Sequence, residues 1–124
     1  MAGKLDDVTF KKKAYENGDV YEGETKDGKP NGKGKYIWAD GAVYEGDFKE
    51  GKAAGIGSLT WADGERYEGE FVDGNKEGKG KFFWTTGEVY EGEFEDNRFL
   101  NGYVYDNTGK MVSRYVNGEK IKID

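Results

Sequence analysis

Apolar and polar residues alternate over short segments of this chain, and glycine-rich segments separate them. Residues 44–48 read Tyr-Glu-Gly-Asp-Phe, which places tyrosine, glycine and phenylalanine on one face of a strand and two acids on the other. Residues 56–61 alternate in the same way and end at Trp61. Between these strands, residues 49–55 contain two glycines and are predicted to form a loop in which glycine takes positive φ.

The Asp63 and Gly64 pair that follows Trp61 is a strong local signal for a hairpin turn. Each such unit is therefore predicted to be a β-hairpin, and successive units are expected to continue into one antiparallel meander. Glycine recurs too often for a helix, at a cost of roughly 1 kcal/mol each in a helix interior. The predicted strands cover residues 8–15, 19–25, 33–38, 42–48, 56–61, 65–71, 79–84, 88–94, 103–105, 111–116 and 121–123.

The alternating segments repeat with a fixed period. Tyr21, Tyr44, Tyr67 and Tyr90 each open a Tyr-Glu-Gly-Asp/Glu motif, and each lies 23 residues after the one before. Glycines and tryptophans keep the same phase: Gly28, Gly51 and Gly74; Gly32, Gly55 and Gly78; Gly34, Gly57 and Gly80; Trp38, Trp61 and Trp84; Gly18, Gly41, Gly64 and Gly87. A fixed short period indicates one supersecondary unit copied along an axis, which argues against a single catalytic centre.

The ends of the chain depart from the repeat, as end units without a neighbour are expected to do. After Tyr90 the phase breaks, because Gly102 comes one residue late and Gly109 one residue early. The predicted organisation is one repeat array over residues 1–124. Within it we expect a partial leading unit at 8–20, full units at 21–43, 44–66 and 67–89, a degenerate unit at 90–112 and a C-terminal cap hairpin at 113–124.

The repeated motif Tyr-Glu-Gly-Glu-Phe-x-Asp-Gly-x-x-x-Gly-x-Gly-x-x-x-Trp-x-x-Gly resembles the MORN repeat, a β-hairpin module. Residues 67–89 match it best, whereas Thr25 replaces the phenylalanine of the first full unit and Asn97 replaces a loop glycine in the last. The resemblance implies an elongated, twisted, single-layer antiparallel sheet with an aromatic groove along one face. It also implies an adaptor, dimerisation or membrane-proximal scaffold role.

The aromatic face is predicted to be mostly core, because rings that lie over bare glycine backbone exclude water without a second layer. Such a face cannot cover itself fully, and an exposed apolar strip usually marks a binding surface. The tryptophans are the best candidates for the exposed share. The predicted groove residues are Tyr36, Trp38, Tyr44, Phe48, Leu59, Trp61, Tyr67, Phe71, Phe82, Trp84, Tyr90 and Phe94.

The opposite face carries acids on one strand and lysines on the next. Glu22 and Glu24 lie beside Lys33 and Lys35 in this interpretation, as Glu68 and Glu70 do beside Lys79 and Lys81, and the prediction is a ladder of cross-strand ion pairs. A catalytic carboxylate pair or a calcium site is the alternative. No Asp-x-Asp-x-Asp-Gly loop is present to support calcium.

The composition excludes several function classes. With no histidine and no cysteine, the commonest general bases, thiol nucleophiles and zinc ligands are missing, so we expect no enzyme, no metal and no cofactor. A net charge of −6 disfavours nucleic acid and an anionic membrane surface, although the resemblance leaves membrane contact open. No signal peptide or apolar span is recognisable, and the default expectation is a cytoplasmic protein.

The sequence therefore predicts a non-catalytic scaffold whose aromatic groove holds a peptide, a helix or a second copy of the chain as a homodimer. An alternative is a small-ligand binder, because aromatic cages suit sugars, quaternary ammonium groups and lipid headgroups. A passive spacer within a larger complex is the third possibility.

Overall fold

The chain forms a single antiparallel β-sheet in which eleven strands follow one another in sequence order. The computed structural model describes residues 8–123. The expected start and end of the array, residues 1–7 and 124, lie outside that range. The predicted all-β meander of hairpins is confirmed. The strands are β1 (Val8–Ala14), β2 (Val20–Lys26), β3 (Lys29–Ile37), β4 (Val43–Lys49), β5 (Lys52–Thr60), β6 (Arg66–Val72), β7 (Asn75–Phe83), β8 (Val89–Glu95), β9 (Arg98–Tyr105), β10 (Met111–Val116) and β11 (Glu119–Lys122).

Two kinds of turn alternate along the sheet, and the sequence prediction placed the tight one wrongly. The predicted loop over 49–55 is absent: Lys49 pairs with Lys52, and only Glu50 and Gly51 form the turn. Both turn residues have positive φ, as two-residue hairpin turns that match strand twist require. The Asp63 and Gly64 pair lies instead in a wider turn, which is closed by a hydrogen bond from the Trp61 N–H to the Glu65 carbonyl, 2.8 Å.

Each full repeat also contains a large β-bulge, in which one residue of a strand faces three of its neighbour. Gly69 pairs with Gly80 and Phe71 with Lys76, so the single residue Glu70 faces residues 77–79. Gly78 takes a φ of 74° within this bulge, which is why glycine recurs at a position that the sequence analysis assigned to a loop. The glycine requirement was therefore predicted correctly, but the surrounding backbone is strand.

The break of phase after Tyr90 is a one-residue deletion in the last bulge. Gly92 pairs with Gly102 and Phe94 with Phe99, so Glu93 faces only residues 100–101. Gly102 is thus the counterpart of Gly80, arriving one residue early, and the interpretation of it as late was wrong. The same deletion brings Gly109 forward by one residue.

The core is a row of alternating tyrosine and phenylalanine rings on one face of the sheet, which we call the inner row. It comprises Tyr21, Phe48, Tyr44, Phe71, Tyr67, Phe94 and Tyr90, all buried. Phe71 meets the rings of both Tyr44 and Tyr67 edge-on, with centroids 5.0 and 5.1 Å away, and so ties two units together. Such pairs contribute about 0.5–1.5 kcal/mol each beyond the area they bury. Tyr115 and Phe99 cover the C-terminal end of the row.

Candidate functional site

The inner row is fixed by a contact that recurs in every unit. The Tyr67 hydroxyl donates a hydrogen bond to the Glu70 carbonyl, 2.8 Å away, at the bulge where the strand ladder is interrupted. The Tyr67 ring reaches that carbonyl by lying over Gly80, where a Cβ would stand only 2.5 Å from the tyrosine oxygen. Equivalent hydroxyl bonds run from Tyr21 to Glu24, from Tyr44 to Asp47 and from Tyr90 to Glu93. These tyrosines therefore hold the bulges together.

The acids on the opposite face also serve the bulges, which revises the predicted ion-pair ladder. The Glu70 carboxylate accepts the backbone N–H of Lys79 at 2.9 Å rather than pairing with its ammonium. Asp47 accepts the Ile56 N–H in the same way and also forms an ion pair with Lys33. The hydrogen bond from Lys33 and the one from the Ile56 N–H together lower the pKa of the Asp47 carboxyl. The acids on this face thus stabilise the backbone of the bulges.

Beside the inner row lies a second line of rings on the same face, which we call the outer row. Its members are half-buried, apart from the more exposed Trp38, and comprise Tyr15, Tyr36, Trp38, Leu59, Trp61, Phe82, Trp84 and Phe99. Neighbouring rings touch: Tyr36 and Trp38 have centroids 4.8 Å apart, and Phe82 and Trp84 have centroids 5.0 Å apart. Of the three tryptophans, Trp61 and Trp84 pack against the buried core, as predicted for a shared aromatic face.

The two rows divide the twelve predicted groove residues equally. Six belong to the inner row and are buried by other rings, namely Tyr44, Phe48, Tyr67, Phe71, Tyr90 and Phe94. The other six belong to the outer row, namely Tyr36, Trp38, Leu59, Trp61, Phe82 and Trp84. Binding at these residues stays a prediction. Phe99 was missed because its position, which pairs with the motif phenylalanine, is occupied by Ala53 and Lys76 in the preceding units and so shows no repeated apolar residue.

Lys76 places a cation among the outer rings. Its ammonium lies 5.1 Å from the centre of the Trp61 ring and 5.8 Å from that of Tyr67. Burial lowers the pKa of this ammonium below its usual value. Lys76 was not predicted as a site residue, because it falls in a segment predicted to be a loop, where a lysine is expected to face solvent.

Asp19 closes the first wide turn through its carbonyl, its side chain reaches the second wide turn at Ala39, and it is 7% exposed. Its carboxylate accepts hydrogen bonds from the Tyr36 hydroxyl at 2.6 Å and from the Ala39 N–H at 2.8 Å, and a third from the Asn17 amide. The Tyr36 bond is the largest cause that lowers the pKa of Asp19, so the group stays a carboxylate at neutral pH. Burial, reinforced by the Asp19 hydrogen bond, raises the pKa of Tyr36 to about 12.

A family model for the MORN repeat matches residues 21–43, 44–66, 67–89 and 90–99, which together are more than half of the chain. The chain belongs to the MORN repeat family. A search of curated protein sequences finds no match to it. Each full MORN unit here runs from one buried tyrosine through the tight turn, the bulge and the wide turn to the residue before the next buried tyrosine.

Two shallow hollows lie on the charged face of the MORN sheet. One, of about 460 Å³, has Gly69, Gly80 and Gly92 as its floor and lysine and glutamate side chains as its walls. The other, of about 440 Å³, repeats this arrangement around Gly23, Gly34 and Gly46, with Phe10 at its rim. The glycines that admit tyrosine rings on one face thus leave bare backbone on the other. None of the three tryptophans lines either hollow.

Within residues 8–123 the MORN sheet has neither a cluster of side chains suited to a metal ion nor an unpartnered buried polar side chain. No group of three or more histidine, cysteine, aspartate or glutamate side chains there is placed to hold a metal ion. Every buried side-chain nitrogen and oxygen in that range has a hydrogen-bond partner. No helix in the described part of the chain has the length and apolarity that crossing a membrane requires.

Proposed function

We propose that this chain is a non-catalytic binding module and that the outer row holds an extended segment of a protein partner. The observation that carries the proposal is the separation of the aromatic face into two rows. The inner row is closed by its own rings and hydroxyl bonds, whereas the outer row keeps tryptophan and tyrosine surface in contact with solvent. Tryptophan and tyrosine are the side chains that most often dominate binding energy at interfaces.

Sheet geometry favours an extended occupant over a long helix. From β1 to β9 the outer row crosses eight strand spacings, or roughly 38 Å at about 4.8 Å each. Adjacent strands rotate by about 20–25° on average, so the direction in which the row faces turns steadily along the sheet. A straight helix therefore does not stay in contact with the row over its whole length. An extended segment of roughly twelve residues, at about 3.3 Å per residue, covers the row and follows its rotation.

Selection of peptides on the folded chain tests this function. Random twelve-residue peptides displayed on phage are selected against the wild-type chain, and the affinity of the tightest peptide is then measured for Trp84→Ala and for Ile56→Ala. Ile56 is the matched control because it is 59% exposed on the opposite face. We expect a loss of about tenfold or more for Trp84→Ala and little change for Ile56→Ala, since interface anchors contribute more than about 1 kcal/mol.

Failure to select any peptide, or an equal loss in both variants, contradicts the proposal. Light scattering over a concentration series adds one distinction. If the wild-type chain grows in size with concentration and Trp84→Ala does not, the occupant of the outer row is a second copy of the chain.

A small cationic ligand is the second candidate, and the position of the Lys76 ammonium over Trp61 favours it over sugars. Titration with choline, followed by tryptophan fluorescence, tests this candidate. A saturable change that Trp38→Phe removes supports it, and the absence of any change contradicts it.

A further inference from the structure

We propose that Trp38, together with the surface left open at Ala53, forms a binding site for one lysine side chain of the protein partner. This inference rests on the proposed function, because it names the chemistry of one contact within the outer row. The chain itself contains a contact of the same kind. One unit later, Lys76 lays its own ammonium over Trp61, the counterpart of Trp38.

Ala53 and Lys76 occupy the same position in consecutive units. Ala53 pairs with Phe48 and Lys76 pairs with Phe71, each opposite the phenylalanine of the inner row. Their carbonyls make the same bond to the next tight turn: Ala53 accepts from the Gly74 N–H at 2.8 Å, and Lys76 accepts from the Asn97 N–H at 3.0 Å. The backbone is therefore equivalent at the two positions, and only the side chain differs.

The side chain at this position determines whether the adjoining tryptophan is covered. In the next unit it is Phe99, whose ring lies 5.5 Å from Trp84 and 4.4 Å from Tyr90. Lys76 covers Trp61 in the same way, and both of those tryptophans are half-buried. Alanine has no atoms beyond Cβ to reach a ring, and Trp38 is correspondingly 37% exposed. Trp38 thus lacks the covering side chain that Lys76 provides for Trp61 and Phe99 provides for Trp84.

The charge behind Trp38 favours a cation at this site. Tyr36 contacts Trp38 with ring centroids 4.8 Å apart, and its hydroxyl donates to the buried carboxylate of Asp19. Within residues 8–123, no lysine or arginine nitrogen lies within 4.0 Å of that carboxylate. An ammonium over Trp38 would therefore meet the negative face of the indole, with the Asp19 carboxylate behind the adjoining Tyr36 ring.

The test uses the indole N–H resonances of the three tryptophans, assigned with single Trp→Phe variants. The probe is the tripeptide acetyl-Gly-Lys-Gly-amide, and the control probe is the same peptide with an acetylated lysine. In the wild-type chain we expect a saturable shift of the Trp38 resonance with Trp61 unaffected. The acetylated probe is expected to bind about two- to fivefold more weakly, the range of an exposed cation–π contact.

Two reciprocal variants change the number of sites. Ala53→Lys should occupy the Trp38 site from within and abolish the shift of its resonance. Lys76→Ala should uncover the ring of Trp61, so that the probe now shifts two indole resonances instead of one. The amide spectrum of each variant reports whether the sheet is intact.

The proposal is overturned if the lysine probe leaves Trp38 unchanged, if the acetylated probe binds equally well, or if Lys76→Ala gains no second site. A shift of Trp38 by phosphocholine but not by the lysine probe would assign the site to a quaternary ammonium ligand instead. The selected twelve-residue peptides keep this outcome separate from the proposed function: if they require Trp84 while the lysine probe fails, the outer row binds protein but Trp38 is not a lysine site.

Discussion

Removing one hydroxyl from the inner row tests whether the tyrosines hold the bulges. In Tyr67→Phe the ring, its burial and its contact with Phe71 remain, and only the bond to the Glu70 carbonyl at 2.8 Å is lost. That carbonyl lies at an interruption of the strand ladder, under a ring that is fully buried. A buried acceptor left without its partner costs about 1–3 kcal/mol, so we expect the free energy of unfolding to fall by that amount.

Urea unfolding followed by tryptophan fluorescence measures this loss, with the slope of the free energy against urea unchanged. Tyr103→Phe is the matched control because Tyr103 is 42% exposed, and its free energy of unfolding should stay within about 0.5 kcal/mol of wild type. Tyr44→Phe should repeat the loss, since its hydroxyl makes the same bond to Asp47. If Tyr67→Phe is as stable as wild type, water or another donor satisfies the Glu70 carbonyl and the proposed role of the tyrosines is refuted.

Three further predictions follow from the fold. Gly80→Ala should destabilise the chain by about 1–3 kcal/mol in urea, because its Cβ would overlap the Tyr67 ring; no loss would contradict that packing. Glu50→Asn should stabilise it by about 0.5 kcal/mol or more, because Glu50 has a φ of 49° that asparagine adopts more readily; a loss of stability would contradict the turn. Burial raises the pKa values of Tyr21 and Tyr90 to about 12, so their protonated forms stabilise the fold below pH 10, and this contribution is lost as the pH rises toward 12. Alkaline titration, followed by tyrosine absorbance and circular dichroism, should show that ionisation and unfolding coincide in that range. Ionisation of these tyrosines near pH 10 while the chain stays folded would contradict this prediction.

The period and the shared face were predictable because both are regular features of the sequence. Any residue of the repeat that faces the core must do so again 23 residues later, so the phase of Tyr44 and Tyr67 is sufficient to align the units. Alternation then assigns Trp61 and Trp84 to the same face. The structure confirms this assignment, since both tryptophans pack against the buried tyrosines.

The placement of the turns was not predictable from local signals. Asp-Gly occurs twice in the full repeat 21–43, at Asp27 and Gly28 in the tight turn and at Asp40 and Gly41 in the wide turn. Both glycines have positive φ, so the dipeptide alone does not distinguish the two backbones. The pairing between strands decides the matter, and that is a property of the whole sheet.

The bulges and the exposure of Trp38 depend on contacts between strands and units, which no single segment of the sequence reveals. A single acid faces three residues at the bulge of each full repeat, and the residue spacing along one strand does not reveal that arrangement. The exposure of Trp38 likewise depends on Ala53, fifteen positions later, because alanine is where other units have a covering side chain. The sequence alone predicted which rings share the aromatic face, whereas the structure was needed to separate the buried inner row from the partly exposed outer row.

The central claim is that the inner row stabilises the sheet while the outer row is available for binding. The most direct measurement is the free energy of unfolding, from urea melts, of Trp38→Ala beside Phe71→Ala. Phe71 is 3% exposed between two tyrosines, and its truncation should cost about 3–5 kcal/mol or prevent folding. The account predicts a loss for Trp38→Ala that is smaller by about 1 kcal/mol or more, because that ring is 37% exposed and more than a third of its surface contributes no burial. An equal loss in both variants would show that Trp38 belongs to the core and would contradict the division of the aromatic face into two rows.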